Sequence, residues 1–170
     1  RDFLAGAAGL AVAALGADQA LAGAHQRAPV KLTPEDKTAK PIGEGAVILV
    51  TGANRGLGLE FTRQYAERGA RIIATARKPE KADVLNALAA DNKNITVEQL
   101  DVTDHAMIDA LAARYVDQPI DLLLNNAGIG GQSSNQIFGR LNFETFEQVM
   151  AVNVQGPMKM CEAFRKNVRA

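Results

Sequence analysis

Residues 46–60, AVILVTGANRGLGLE, constrain the fold of this chain more than any other stretch. The run AVILV is short, apolar and rich in β-branched residues, which predicts a strand buried on both faces. Three glycines follow it at once: Gly52, Gly56 and Gly58. An amphipathic helical pattern then begins, with Leu57, Phe61, Tyr65 and Ala66 on one side, and Gly69 stands where a helix C-terminus is expected. The stretch therefore predicts a strand, a glycine turn and a helix.

The same alternation continues along the chain. Further strands are predicted at RIIATA (71–76), ITVEQL (95–100) and IDLLLN (120–125). Helices are predicted from about 79 to 90, with Val84, Leu85 and Leu88 inward, and through Met107 to Leu111 after a capping Asp104. Two more helical stretches cover 143–154 and 157 to the end, so that Ala170 lies in mid-helix. The pattern predicts an α/β fold, a Rossmann-like doubly wound parallel sheet truncated after about four strands, with an apolar edge at IDLLLNN.

The glycines have a physical role in such a fold. At the first strand-to-helix turn, Gly52 permits a tight turn and Gly56 lets the backbone approach the phosphates of a dinucleotide. Gly58 lets the helix pack close to the strand. The helix N-terminus then offers N–H groups and a partial positive charge to an anion. A dinucleotide-binding turn is therefore predicted here.

Four ordered motifs extend this prediction: Thr51-Gly52-x-x-x-Gly56-x-Gly58, LDVTD with Asp101, NNAG at 125–128, and VNVQGP with Asn153. From Ala46 to its end the chain resembles the short-chain dehydrogenases/reductases of the single-domain type. Within that family its sequence is most similar to the carbonyl-reductase and C-factor-like branch. The resemblance implies that Asp101 contacts adenine, that NNAG lines the cofactor cleft, and that Asn153 is the catalytic asparagine, holding a water in a proton relay through its backbone carbonyl. The cofactor-binding residues predicted in this way are Thr51, Gly52, Asn54, Arg55, Gly56, Leu57, Gly58, Arg77, Asp101, Val102, Asn125, Ala127 and Gly128.

The choice of cofactor follows from charge. NAD-preferring sites end the second strand with an acid that bonds the ribose hydroxyls, whereas a 2′-phosphate favours arginine. Here Ala76 occupies the position of the acid, Arg77 follows it, and Arg55 lies inside the glycine turn. This pattern favours NADP(H) over NAD(H), although both arginines could instead be solvated surface residues.

The resemblance also implies a catalytic serine and a Tyr-x-x-x-Lys pair, which this sequence does not contain. Tyr65 and Tyr115 are followed four residues later by Gly69 and Pro119. Ser133 and Ser134 lie in a loop after NNAG, too early in the sequence to be the catalytic serine. We expect an NADP(H)-dependent oxidoreductase acting on a small carbonyl or alcohol, encoded by a longer gene, of which this piece alone is inactive. The alternative is a non-catalytic dinucleotide-binding module.

Composition and the N-terminus bound the other possibilities. Nineteen basic and nineteen acidic residues give no basic surface for nucleic acid. Cys161 is a single cysteine, and His25 and His105 lack partners at metal-ligand spacing. Residues 1–22 resemble part of a twin-arginine export signal, which predicts a periplasmic location. The alternative is an amphipathic or disordered N-terminal arm, and the alternative location is the cytoplasm.

Residues 23–45, with three prolines, are predicted to be a linker before the domain at 46–170, and the N-terminal apolar segment is too short for a stable membrane span. In the family the helix with Cys161 and Phe164 helps form a homodimer or homotetramer. The apolar positions Met158, Cys161 and Phe164 are compatible with such an interface, and core packing explains them equally well.

Overall fold

The structure, a computed structural model, describes residues 42–131 and 137–168. Its centre is a parallel sheet of four strands in the order β3-β2-β1-β4. The strands are β1 (Val47–Val50), β2 (Arg71–Ala76), β3 (Ile95–Gln99) and β4 (Leu122–Leu124). In register, Val50 lies between Ala74 of β2 and Leu124 of β4. The predicted α/β, Rossmann-like fold is confirmed.

In the described residues, five α-helices connect and flank the strands. They are α1 (Gly56–Glu67), α2 (Asp83–Asp91), α3 (His105–Arg114), α4 (Phe143–Met150) and α5 (Gly156–Ala163). A short 3-10 turn, Pro79–Lys81, precedes α2. Pro79 is its first residue, a position that tolerates proline because its N–H is not needed for a helical hydrogen bond. A π-helical turn, Ala151–Gln155, joins α4 to α5.

Alternating side chains of β1 build two hydrophobic cores, one on each face of the sheet. Ile48 and Val50 pack on one face with residues of α1 and α2, including Ala66 and Leu85. Val47 and Leu49 pack on the other face, and their partners come from α3, α5 and the turn after it: Ile108, Leu111, Met160 and Phe164. Both faces of the sheet are covered, which explains why β1 is apolar at every position.

The predicted helix ends are confirmed at two places. After α1, Gly69 has φ +85° and its N–H donates to Ala66 O, while the N–H of Ala70 donates to Tyr65 O. These two bonds form a Schellman motif, which favours glycine at this position. Before α3, the Asp104 side chain accepts from the N–H of Met107 at 2.9 Å.

Other details of the sequence prediction were wrong. Val84, predicted to face inward, is 64 % exposed because it lies on the outer side of its helix. The last helix ends at Ala163, so the chain does not end within it. A turn follows, and Val168 pairs with Ile120 in an isolated parallel bridge that leaves Ile120 only 2 % exposed.

Two groups of predictions have different outcomes. Core packing accounts for Phe164, which is buried, whereas Met158 and Cys161 are exposed. The export signal at 1–22 and the predicted linker up to residue 41 lie outside the described residues and stay predictions. Among the helices of 42–131 and 137–168, none has the length and apolar character needed to cross a membrane.

We expect Asp104→Ala to lower the free energy of unfolding by about 1 kcal/mol, because it removes the side-chain cap of α3. Asp117→Ala, in the exposed turn after α3, is the control and should change stability by less than about 0.5 kcal/mol. Urea denaturation followed by circular dichroism measures both. Equal effects of the two substitutions would contradict the capping role of Asp104.

Candidate functional site

A cleft of about 380 Å³ opens at the carboxyl edge of the sheet. Its walls come from the segments after all four strands and from the π-helical turn. They are Gly52 and Asn54–Leu57 after β1, Arg77 after β2, Leu100–Val102 after β3, Asn126–Ile129 after β4, and Val152. Ligands of open parallel sheets bind outside the carboxyl ends of the strands, and a cleft of this volume suits a small-molecule cofactor.

Most of the predicted cofactor-binding residues line this cleft. These are Gly52, Asn54, Arg55, Gly56, Leu57, Arg77, Asp101, Val102, Ala127 and Gly128. The predicted residues Thr51, Gly58, Asn125 and Asn153 do not line it. Sequence reasoning missed Leu100, Asn126, Ile129 and Val152. Three of them had a signal, since Asn126 belongs to NNAG, Leu100 to LDVTD and Val152 to VNVQGP, whereas Ile129 lies outside these motifs.

Glycine is needed at the three positions of the turn for different physical reasons. A Cβ on Gly58 would lie 2.2 Å from the carbonyl oxygen of Gly52, so α1 can approach the turn only with glycine there. A Cβ on Gly52 would lie 2.9 Å from the Cα of Ala127. Gly56, at φ +56°, would place a Cβ in open space within the cleft. The turn is therefore packed tightly on its inner side and open on the side that faces the cleft.

The N-terminus of α1 is suited to an anion. Its N-cap residue, Arg55, has extended backbone and makes no side-chain capping hydrogen bond, and the first turn contains no acidic residue. The first N–H groups of a helix have no intrahelical acceptors, and the helix dipole adds a partial positive charge. With the open space at Gly56, this arrangement fits the pyrophosphate of a dinucleotide.

Thr51 joins the carboxyl ends of β1 and β4 beneath the cleft. Its hydroxyl oxygen accepts from the N–H groups of Asn126 and Ala127, both at 3.0 Å, and donates to the carbonyl oxygen of Leu124 at 3.4 Å. The Thr51 side chain is 1 % exposed. Thr51 therefore holds the segment after β4 against the end of β1, which is a supporting role and not a direct contact with the cleft.

Asn126 forms the reciprocal contact. Its side-chain amide donates to the carbonyl oxygens of Thr51 and Gly52 at 2.9 and 3.1 Å. Asn125, its neighbour, is exposed, and its amide donates to the sulfur of Cys161 at 3.5 Å. Of this pair, Asn126 lines the cleft and Asn125 does not.

Asn153 lies in the π-helical turn between α4 and α5. Its side-chain oxygen accepts from the N–H of Ile129 at 2.9 Å, and its amide donates to the carbonyl oxygen of Ile129 at 2.8 Å. This pair of bonds fixes the end of the NNAG segment from the helix side. The side chain of Asn153 is thereby committed to the backbone of the cleft wall, and the implied catalytic use of its backbone carbonyl stays a prediction.

The mouth of the cleft carries two cations and one carboxylate. Arg55 and Arg77 are exposed and line the cleft, whereas Ala76, at the end of β2, is 1 % exposed. Asp101 uses one carboxylate oxygen to accept from the N–H and the hydroxyl of Thr103, at 3.0 and 2.7 Å. The arginines can therefore face an anionic group without an acid at the end of β2.

Neither tyrosine is placed as a proton donor for the cleft. Tyr115 lies near the amino ends of β1 and β2, and its hydroxyl donates to Glu98 at 2.8 Å. Burial first, and then the hydrogen bond to Glu98, raise the pKa of Tyr115 to about 12. A tyrosine acting as an acid in hydride-transfer chemistry needs a lowered pKa. Tyr65 instead faces Arg68, whose guanidinium lies 5.5 Å from the ring.

The two serines after NNAG and the possibility of a metal site were also raised by the sequence. Ser133 and Ser134 lie outside the described residues. No group of three His, Cys, Asp or Glu side chains that could hold a metal ion occurs within 42–131 and 137–168.

Comparison with known proteins gives consistent matches. The family model of the short chain dehydrogenases matches residues 46–169. The chain is 36 % identical to (+)-neomenthol dehydrogenase of Arabidopsis thaliana over 138 residues, covering 68 % of this chain and 47 % of that protein. The chain thus spans about half the length of the curated relatives it matches.

Solved structures of short-chain dehydrogenases/reductases are also similar to this chain. NADPH-bound carbonyl reductase from chicken fatty liver has a TM-score of 0.66 and 31 % identity, covering 73 % of this chain and 52 % of that one. A short-chain dehydrogenase/reductase of Burkholderia multivorans with bound NADP has a TM-score of 0.67 and 32 % identity, covering 73 % and 54 %.

We expect Thr51→Val to lower the free energy of unfolding by about 1–3 kcal/mol, because valine keeps the volume but leaves two backbone N–H groups without their acceptor. Thr51→Ser keeps the hydroxyl and is the matched control, with a loss below about 1.5 kcal/mol. Urea denaturation compares the two. A valine variant as stable as the serine variant would show that the hydroxyl does not hold the segment after β4.

Proposed function

The chain belongs to the short chain dehydrogenase family, and we propose that it forms the nucleotide-binding part of an NADP(H)-dependent oxidoreductase. The reaction proposed is hydride transfer between nicotinamide and a small carbonyl or alcohol substrate. One observation carries the proposal: the uncapped N-terminus of α1 opens through Gly56 into a cleft whose mouth has two arginines and no acid at the end of β2.

The described residues fit the cofactor in three places. The N–H groups at the start of α1 would hold the pyrophosphate. Asp101 and Val102 would lie beside the adenine, and Arg55 and Arg77 would pair with the 2′-phosphate of NADP(H). Arginine suits this phosphate because its guanidinium gives two parallel charge-assisted hydrogen bonds. The NADP-bound relatives described above support this choice of cofactor.

The chemistry of the proposed reaction comes from the cofactor, which gives or takes the hydride. This chain supplies binding and orientation: Thr51 and Asn126 fix the cleft floor, and Asn153 fixes Ile129 beside it. Neither tyrosine in the sequence is followed by lysine four positions later, so neither matches the Tyr-x-x-x-Lys pattern of the proton donor. We propose that a serine and a Tyr-x-x-x-Lys pair encoded beyond Ala170 complete the site.

A non-catalytic dinucleotide-binding module is the second candidate. The observation that favours it concerns Tyr115. This tyrosine lies at the amino ends of the strands, away from the cleft, and its raised pKa does not suit a proton donor. The two candidates share the cofactor and differ in turnover.

For cofactor binding, we expect Arg77→Gln and Arg55→Gln each to weaken NADPH affinity about tenfold or more, since each removes a hydrogen bond between charged groups. NADH affinity should change less than about threefold, because NADH has no 2′-phosphate. Fluorescence titration of the reduced nicotinamide gives both dissociation constants.

Arg71→Gln is the matched control, because Arg71 is an exposed arginine at the opposite end of β2. This control should leave both affinities unchanged. Equal losses of NADPH and NADH affinity in the Arg55 and Arg77 variants would overturn the assignment of the 2′-phosphate.

For catalysis, we expect the gene to continue past the codon for Ala170 and to encode Tyr-x-x-x-Lys. Its complete product should oxidise NADPH in the presence of aldehydes or ketones. Replacing that tyrosine by phenylalanine should lower kcat about 100-fold or more, the contribution of a general acid. A stop codon after Ala170, or NADPH binding without turnover by the complete product, would support the binding module instead.

A further inference from the structure

Met107 links helix α3 to the floor of the cleft through its sulfur. It is the third residue of the helix after the cap Asp104, and its N–H donates to the Asp104 carboxylate at 2.9 Å. Its side chain turns back, and the sulfur accepts the N–H of Asp101 at 3.1 Å. Met107 therefore makes two hydrogen bonds, one from its backbone N–H to the cap residue and one from the segment before the cap to its sulfur.

The arrangement resembles a capping box with a changed acceptor. In a capping box a Glu or Gln at the third helical position reaches back to the N–H of the cap residue. Here a thioether occupies that position and reaches three residues further, to Asp101. A thioether is a weak acceptor, and an amide oxygen is a stronger one of similar reach.

Within the part of the chain that the structure describes, the other hydrogen bonds of Asp101 lie in its own turn. Its carbonyl oxygen accepts the N–H of Asp104 at 3.0 Å, and its carboxylate accepts from Thr103. Those bonds shape the turn but do not join it to the side of α3 that packs on the sheet. The bond to Met107 makes that connection, because Met107 is half-buried against the core formed by Ile108, Leu111 and Phe164.

We propose that Met107 is a positioning residue for NADP(H). It does not line the cleft, but its sulfur fixes the backbone of Asp101, and Leu100 to Val102 form the wall of the cleft after β3. This inference rests on the proposed function, in which that wall receives the adenine. The sulfur acts on affinity by keeping the wall in its binding position before the cofactor arrives.

Two substitutions separate the hydrogen bond from the packing. Met107→Leu keeps an apolar side chain of similar volume but has no acceptor. Met107→Gln restores an acceptor at the reach of the sulfur. Met158→Leu is the matched control, because Met158 is 68 % exposed on α5.

We expect Met107→Leu to weaken binding of NADPH and of 2′,5′-ADP by the same factor, about fivefold, because it leaves the partly buried N–H of Asp101 without its acceptor. The 2′,5′-ADP probe carries only the adenine half of the cofactor. Met107→Gln should bind both within about twofold of the unchanged protein, and Met158→Leu should bind them equally well. Hydrogen exchange of the Asp101 amide, followed by NMR, should speed up in the leucine variant and slow again with glutamine.

Unchanged affinity in Met107→Leu would overturn the proposal. So would equal losses in the leucine and glutamine variants with unchanged exchange at Asp101, because packing would then explain the effect. If the unchanged protein binds no NADPH, the proposed function fails and so does the effect on affinity. The exchange of Asp101 would then still report whether the sulfur holds this backbone, so the two failures can be told apart.

Discussion

The hydrogen bonds between the end of β1 and the segment after β4 are the contact on which the cleft depends. Thr51 and Asn126 are 75 residues apart in sequence, and each satisfies backbone groups of the other's strand. If these bonds were absent, buried N–H and C=O groups would lose their partners, and each such loss is costly in a buried site. The bonds also bring Gly52 within contact of Ala127, which closes the cleft beneath the glycine turn.

Electrostatics complete what these bonds position. The start of α1 has neither a capping side chain nor an acid in its first turn, so its N–H groups and dipole are directed to the cleft without an acid of the helix itself beside them. Arg55 and Arg77 add two full charges at the mouth. The interior below them is packed from both sides of the sheet, so the cleft wall is carried by strands whose side chains have little freedom to move.

Local signals in the sequence predicted the fold well. Apolar strands alternating with helices predicted the parallel sheet, Gly69 predicted the end of α1, and Asp104 predicted the cap of α3. Predictions failed where a side chain's burial depended on its neighbours: Val84 matches the apolar pattern of its helix yet is exposed. The end of the chain was also misjudged, since the helical pattern after Pro157 stops at Ala163 and the backbone then returns to pair with Ile120.

The sequence by itself determined the turn, because glycine is required wherever φ is positive or a Cβ would meet backbone, and the spacing of Gly52, Gly56 and Gly58 records that requirement. It also determined the charge at the mouth, since Ala76 and Arg77 follow directly from the order of residues. Only the tertiary structure decided which asparagine of NNAG faces the cleft, that Asn153 holds Ile129, and that the sulfur of Met107 reaches Asp101. These contacts join segments brought together by packing, and side-chain direction at a strand end or helix start is set by that packing and has no period that a sequence pattern could show.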